Sequence, residues 1–274
     1  FDRGAMASCT SSKPDEIWGG LHAEFDKLFV GPLQHLHGIF VDRGCVEEPT
    51  LSVVDLMRGE HLAALAEAFC RAHGETPRIA IYSIWSKWYF GAVLPTLICS
   101  GILLGRLPPF RLSDIRLALD ADYKIKRVAV PNGKSLEVSA GHDARFTPLI
   151  EGNIEPFIEM FHGHTGVSRR VLWSNAGTLF EGVVRHLEKV EGRAPGIDEG
   201  LALLSTRVFP DGARNRLYEP VTYPMVGGER VRRRRVCCLR YQLPDRLLCC
   251  ACPLHETERR GTSSPLRSSQ GTGP

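Results

Sequence analysis

Five of the nine cysteines in this 274-residue chain fall within sixteen residues, at Cys237, Cys238, Cys249, Cys250 and Cys252. Four of them form C-C-x10-C-x2-C inside RRRRVCCLRYQLPDRLLCCACPL. Soft sulfur ligands at that density point to a metal: an iron–sulfur cluster, zinc or Cu(I). Cys249-x-x-Cys252 is a familiar ligand pair, because two intervening residues let both sulfurs converge on one metal. Cys237-Cys238 is unusual. Neighbouring side chains of an extended strand point to opposite faces, so the backbone has to bend there, and the spacer with Pro244 supplies the return. Structural zinc sites favour C-x2–4-C on both sides, which an adjacent pair fits poorly. A four-cysteine zinc site and a disulfide pair are the competing readings.

The remaining composition is that of an ordinary globular chain, 43% hydrophobic and 24% charged. The net charge of +3 hides an asymmetry: from Val231 onward nine Arg stand against three acidic residues. No long basic stripe with interleaved aromatics is present, so nucleic acid is not an expected partner. Cys9, Cys45, Cys70 and Cys99 are scattered. With no apolar leader after a basic start, they point to a reducing cytoplasm with free buried thiols. No P-loop, GxGxxG, catalytic triad or flavin motif is visible.

The spacing predicts an α+β chain: a mainly helical body over 8–225, a small antiparallel sheet, and a C-terminal cysteine loop within 226–254. The tail over 255–274 has no apolar periodicity and is expected to be disordered. Residues 13–74 read mostly as helix, with a loop through Val41-Asp42-Arg43-Gly44 and Pro49. Leu62, Leu65, Phe69 and Cys70 share one helical face, stopped by Gly74. The most apolar run, 90–104, is shorter than the roughly 20 residues of a bilayer span. It reads as the second half of a buried helix over 79–104 kinked at Pro95, so at most peripheral membrane association is expected. The first half places Trp85, Trp88, Tyr89 and Ala92 on one face. Further helices are predicted at 153–161, stopped by a His162-Gly163-His164-Thr165-Gly166 loop, at 171–190 with Ser174 as N-cap, and at 198–204. Strand alternation on both sides of Pro131-Asn132-Gly133 predicts a hairpin. Two more strands flank Gly227-Gly228, and the second runs into Cys237.

The cysteine spacing, with Leu243-Pro244-Asp245 inside the loop, resembles the C-terminal signature of the FhuF-type ferric siderophore reductases. Trp85-x-x-Trp88-Tyr89-x-Gly91 and Trp173-Ser174-Asn175 are similar to segments of that family, so the resemblance covers roughly 75–254. It implies that Cys237, Cys238, Cys249 and Cys252 hold a [2Fe–2S] cluster, with Cys250 standing where the family usually has Gly. It also implies one-electron reduction of Fe(III) in a ferric hydroxamate siderophore, with Fe(II) released in the cytoplasm and no catalytic residues beyond the cluster. With no cofactor motif for electron entry, a ferredoxin-like or other protein electron donor is expected. The alternative is a siderophore-binding or electron-carrier module with a four-cysteine metal site and no reductase activity.

Trp85, Tyr89, Trp173 and Asn175 are the expected walls of a substrate pocket opening toward the cysteine loop. The blander reading of each aromatic is a place in the core. Arg233 and Arg235 share strand parity with Cys237 and are expected on the metal side, a solvated basic edge being the other reading.

Overall fold

The structure, a computed structural model, describes residues 14–255 apart from 143 and 246. The expected disordered tail lies outside these residues except for His255. The first segment is less helical than its apolar spacing predicts. Between helix α1 (Leu21–Leu28) and helices α2 (Val53–Leu56) and α3 (Gly59–His73) lie strands β1 (Phe40–Asp42) and β2 (Thr50–Ser52). Helix α3 buries Leu62, Leu65 and Phe69 and ends at Gly74, whose φ of 86° stops it as expected.

Helix α4 (Arg78–Cys99) is apolar on most of its circumference and passes through Pro95 without ending. It runs on into a π turn, Ser100–Leu104, before Gly105 stops it with φ of 65°. The combined rod is long and apolar enough to cross a bilayer, yet 67% of its most apolar window is buried within the protein. It is a core helix here.

Strands β3 (Arg106–Leu107), β4 (Arg116–Leu119), β5 (Ile125–Val130) and β6 (Leu136–Glu137) follow. The expected hairpin around Asn132-Gly133 does not form. Neither residue takes the positive φ that a two-residue hairpin turn demands. Asn132 instead accepts a hydrogen bond from the Trp18 N–H at 3.1 Å. The real turn lies one strand earlier: Asp120 Oδ1 accepts from the N–H groups of Asp122 and Lys124, both at 2.9 Å, so β4 pairs antiparallel with β5. The sheet order is β1-β5-β4-β2, with β1 parallel to β5, and β6 pairs with β3 instead.

Helix α5 (Thr147–Leu149), a π turn (Ile150–Ile154) and α6 (Glu155–Thr165) form one continuous rod. The predicted His-Gly-His loop is therefore the last turn of α6. It stops at Gly166, with φ of 72°, and Glu159 pairs with Arg169 at 2.6 Å, not with a histidine. Helix α7 (Arg169–Glu191) begins earlier than predicted: Ser168 caps it by accepting from the Val171 N–H at 3.3 Å, which leaves Ser174 in the second turn. Helix α8 (Pro195–Ser205) lies against the π turn after α4. A Cβ on Gly196 would sit 2.6 Å from the Ile102 carbonyl oxygen, so only glycine fits that approach.

The last strands behave as the sequence predicts. β7 (Val221–Thr222) is followed by β8 (Met225–Val226) and β9 (Glu229–Arg230), a hairpin whose Gly227 and Gly228 take φ of 61° and 88°. β10 (Arg233–Arg234) pairs back with β7 and leads into Cys237. Helices α4 and α7 pack along each other at the centre. One apolar core contains Trp85, Tyr89, Phe157, Phe161 and Phe180, and it extends to Cys238 and Leu243 of the cysteine loop.

Candidate metal centre and the cleft beside it

The cysteine loop is pinned to the body at several points. Arg234 N–H donates to the Ala251 carbonyl at 2.8 Å, holding the outgoing strand against the returning chain. Ser83 Oγ of α4 donates to the Cys238 carbonyl at 3.0 Å. Leu243 is buried, Pro244 packs over Gly74, and Asp245 pairs with Arg240 at 2.7 Å. The bend required by adjacent cysteines occurs at Leu239, whose φ is 64° and whose N–H approaches Cys237 Sγ at 3.4 Å. Cys252 N–H donates to the Cys249 carbonyl at 2.9 Å, closing the turn between the other two.

The consequence is a cross-pairing. Cys238 Sγ lies 3.9 Å from Cys249 Sγ, and the Cys237 thiol interacts with Cys252. The sulfur contact at 3.9 Å runs across the loop and not within either pair expected from sequence, 237 with 238 and 249 with 252. Because adjacent side chains diverge, each residue of Cys237-Cys238 meets a different partner across the loop. Cys250 is exposed. Among the described residues, no three His, Cys, Asp or Glu side chains converge on a single ion-sized point. Elsewhere Cys70 and Cys99 are free as expected.

Two cations face this group. Lys87 Nζ of α4 is 3.9 Å from Cys238 Sγ. Arg234 is 4% exposed, and its Nη2 donates to Asn175 Oδ1 at 2.5 Å and Ser174 Oγ at 3.3 Å. The hydrogen bond shared with Cys249 draws the Cys238 thiol down to about 5 against the effect of burial, with Lys87 and Arg234 assisting. The same bond, together with burial, pushes Cys249 up, because two adjacent thiols resist losing both protons. Burial also raises Cys237.

Arg234, and not Arg233 or Arg235, is the inward arginine. The buried member of the adjacent cysteines is Cys238, so parity counted from Cys237 selects the wrong residues. Arg233 Nη1 donates to the Cys250 carbonyl at 3.1 Å. Arg235 pairs with Glu219 and lies 5.7 Å over the Tyr218 ring. Arg232 pairs with the buried Glu181 at 2.5 Å.

The four expected pocket residues separate. Trp85 is fully buried, stacks on Phe161 and donates from Nε1 to the Tyr123 carbonyl at 2.9 Å. Tyr89 is fully buried too, with its ring 3.8 Å from that of Phe157 and its hydroxyl donating to Asn153 Oδ1 at 3.3 Å. Their face of α4 is turned to α6, and both are core. Trp173 borders a separate cavity of about 550 Å³ with Phe209 and Arg214. Asn175 is a buried junction: its Nδ2 donates to the Ser83 carbonyl at 3.1 Å and to Ser86 Oγ at 2.9 Å, while its Oδ1 holds Arg234. It ties α4, α7 and β10 together.

Asn175 also touches the feature that sequence reasoning missed, a cleft of about 530 Å³ between α4 and α7. Helix α4 contributes Lys87, Gly91, Pro95 and Cys99, every fourth residue, and Leu33, His35 and Leu36 lie across from them. Helix α7 contributes Thr178, Gly182 and His186, and Arg232 and Arg234 enter from the strand side. The four-residue repeat from Lys87 was visible in sequence but was masked by the more conspicuous aromatic stripe beside it.

A family model described as ferric iron reductase FhuF-like transporter matches residues 83–225, which is 143 of the 274 residues. The matched segment includes α4, α7 and the cleft and ends before the cysteine loop. Among curated proteins, a ferric siderophore reductase of Escherichia coli (strain K12) is 26% identical over 183 residues, 64% of this chain. The chain spans 65% of the length of that relative.

Proposed function

The chain belongs to the FhuF-like ferric iron reductase family, and from that membership we propose that it is a ferric siderophore reductase of the cytoplasm. It holds a [2Fe–2S] cluster on Cys237, Cys238, Cys249 and Cys252 and passes one electron to Fe(III) in a hydroxamate siderophore. The observation that carries this reading is that one loop brings the thiols together, with Cys238 Sγ 3.9 Å from Cys249 Sγ and Lys87 Nζ 3.9 Å from Cys238 Sγ. Four thiolates on one loop would suit an iron–sulfur cluster, and an adjacent Cys-Cys pair fits the C-x2–4-C habit of structural zinc poorly.

When bound, the cluster supplies one electron at a time. The chain's own residues do the rest. Lys87 and Arg234 offset negative charge on the thiolates, and Asn175 and Ser174 fix the guanidinium of Arg234. Ser83 holds the Cys238 backbone in place. Hard oxygen donors bind Fe(III) strongly and Fe(II) poorly, so one added electron opens the chelate without breaking a covalent bond. No general acid, base or nucleophile is required. A ferredoxin-like protein donor would dock near the exposed Cys250 and the half-exposed Arg235. Visible absorption of the purified protein that bleaches on chemical reduction, with iron and acid-labile sulfide in equal amounts, is the expected result. A colourless protein carrying zinc would contradict the reading and favour a binding module.

A further inference from the structure

Three buried side-chain atoms without a hydrogen-bond partner belong to residues lining one cleft: Thr178 Oγ1, His186 Nε2 and Arg234 Nε. Leaving a buried polar group unpaired costs about 1–3 kcal/mol. The three residues line the cleft while these atoms are turned away from solvent, so a bound molecule would supply their partners once the side chains swing toward it. At about 530 Å³ the cleft is also within the range of small-molecule sites.

Its charge is one-sided. Lys87, Arg232 and Arg234 line it, and no carboxylate does. Glu181 neutralises Arg232. Lys87 and Arg234 have no carboxylate partner among the described residues; Lys87 Nζ is 3.9 Å from Cys238 Sγ, and the charge of the buried Arg234 acts on the same thiols.

We propose that this cleft binds the ferric chelate, that it selects oxygen-rich chelates of net negative charge, and that Lys87 and Arg234 couple chelate binding to the reducing power of the metal centre. The inference rests on the reductase reading above. An anion in the cleft and an added electron at the thiolate-bound centre compete for the same two cations. The reduced centre therefore holds the anion more weakly. By reciprocity a bound anion lowers the reduction potential, so the centre is a stronger reductant only with substrate in place. The balance is one for one: a bound centre would give up a single electron, that electron would take Fe(III) to Fe(II), and the protein donor would replace it. A tenfold difference in affinity between the two redox states corresponds to a shift of ~59 mV.

The test uses the cluster-loaded protein and redox-inert gallium(III) complexes of an anionic citrate–hydroxamate and of a neutral trihydroxamate. The anionic complex is expected to bind at least tenfold tighter than the neutral one and to shift the midpoint potential downward. Gly91→Leu fills the cleft from α4, where an added Cβ meets nothing within 4 Å. It should weaken binding at least tenfold and abolish the shift while leaving the visible spectrum unchanged. His186→Phe, on α7, is the second variant and should do the same. Wild-type affinity in both variants, or equal binding and equal shifts with the two complexes, overturns the proposal. The ferric complexes separate the two readings. If neither oxidises the reduced protein, the reductase reading falls. If both do so and both variants turn over like wild type, only the cleft assignment falls.

Discussion

Lys87 Nζ lies 3.9 Å from Cys238 Sγ, so a cation on the central helix touches a thiol 151 residues further along the chain. Opposite unit charges at about 4 Å interact by roughly 1 kcal/mol at the dielectric of water and about 4 kcal/mol at an effective value of 20. Lys87→Met should therefore lower the midpoint potential of the bound cluster, measured by spectroelectrochemical titration. An unchanged potential would mean that solvent screens the pair.

The cysteine assignment predicts five spectra. Serine at Cys237, Cys238, Cys249 or Cys252 should abolish or strongly alter the visible absorption. Cys250→Ser should leave it nearly unchanged, since that side chain is exposed and belongs to neither sulfur pair. A normal spectrum from Cys249→Ser beside a colourless Cys250→Ser would reassign the third ligand.

Trp85 and Tyr89 belong to the core, and their variants should report stability. Trp85→Phe removes packing against Phe161 and strands the Tyr123 carbonyl. A loss of about 1–4 kcal/mol in denaturant unfolding is expected, with chelate affinity retained. Weakened binding at unchanged stability would return Trp85 to the pocket.

The arginine run should split by position. Arg234→Gln removes the inward cation and should shift the cluster potential downward. Arg233→Gln and Arg235→Gln should leave the potential alone but reduce the salt dependence of electron delivery by a protein donor. Equal shifts in all three variants would show that the outer arginines also reach the centre.

Much of the fold was legible because periodicity reports burial directly. The stripe of Leu62, Leu65 and Phe69 and the Gly227-Gly228 turn carry their own local physics. The Asn132-Gly133 turn misled because a tertiary contact from Trp18 claimed the Asn side chain. The cysteine motif identified four thiols but not their pairing, which depends on the bend at Leu239 and the return at Ala251. Arg234 was missed because parity was counted from Cys237, whereas the buried cysteine that shares the arginine's face is Cys238. The cleft needed two helices in register, and no single stretch of sequence contains that relation.

The most direct test is an anaerobic single-turnover measurement. Protein reduced by one electron is mixed with a ferric citrate–hydroxamate and a ferrous-iron trap, and the cluster spectrum and trapped Fe(II) are followed together. Reoxidation of the cluster in step with formation of one Fe(II) per protein is the predicted result. A reduced spectrum that persists in excess ferric chelate would contradict it.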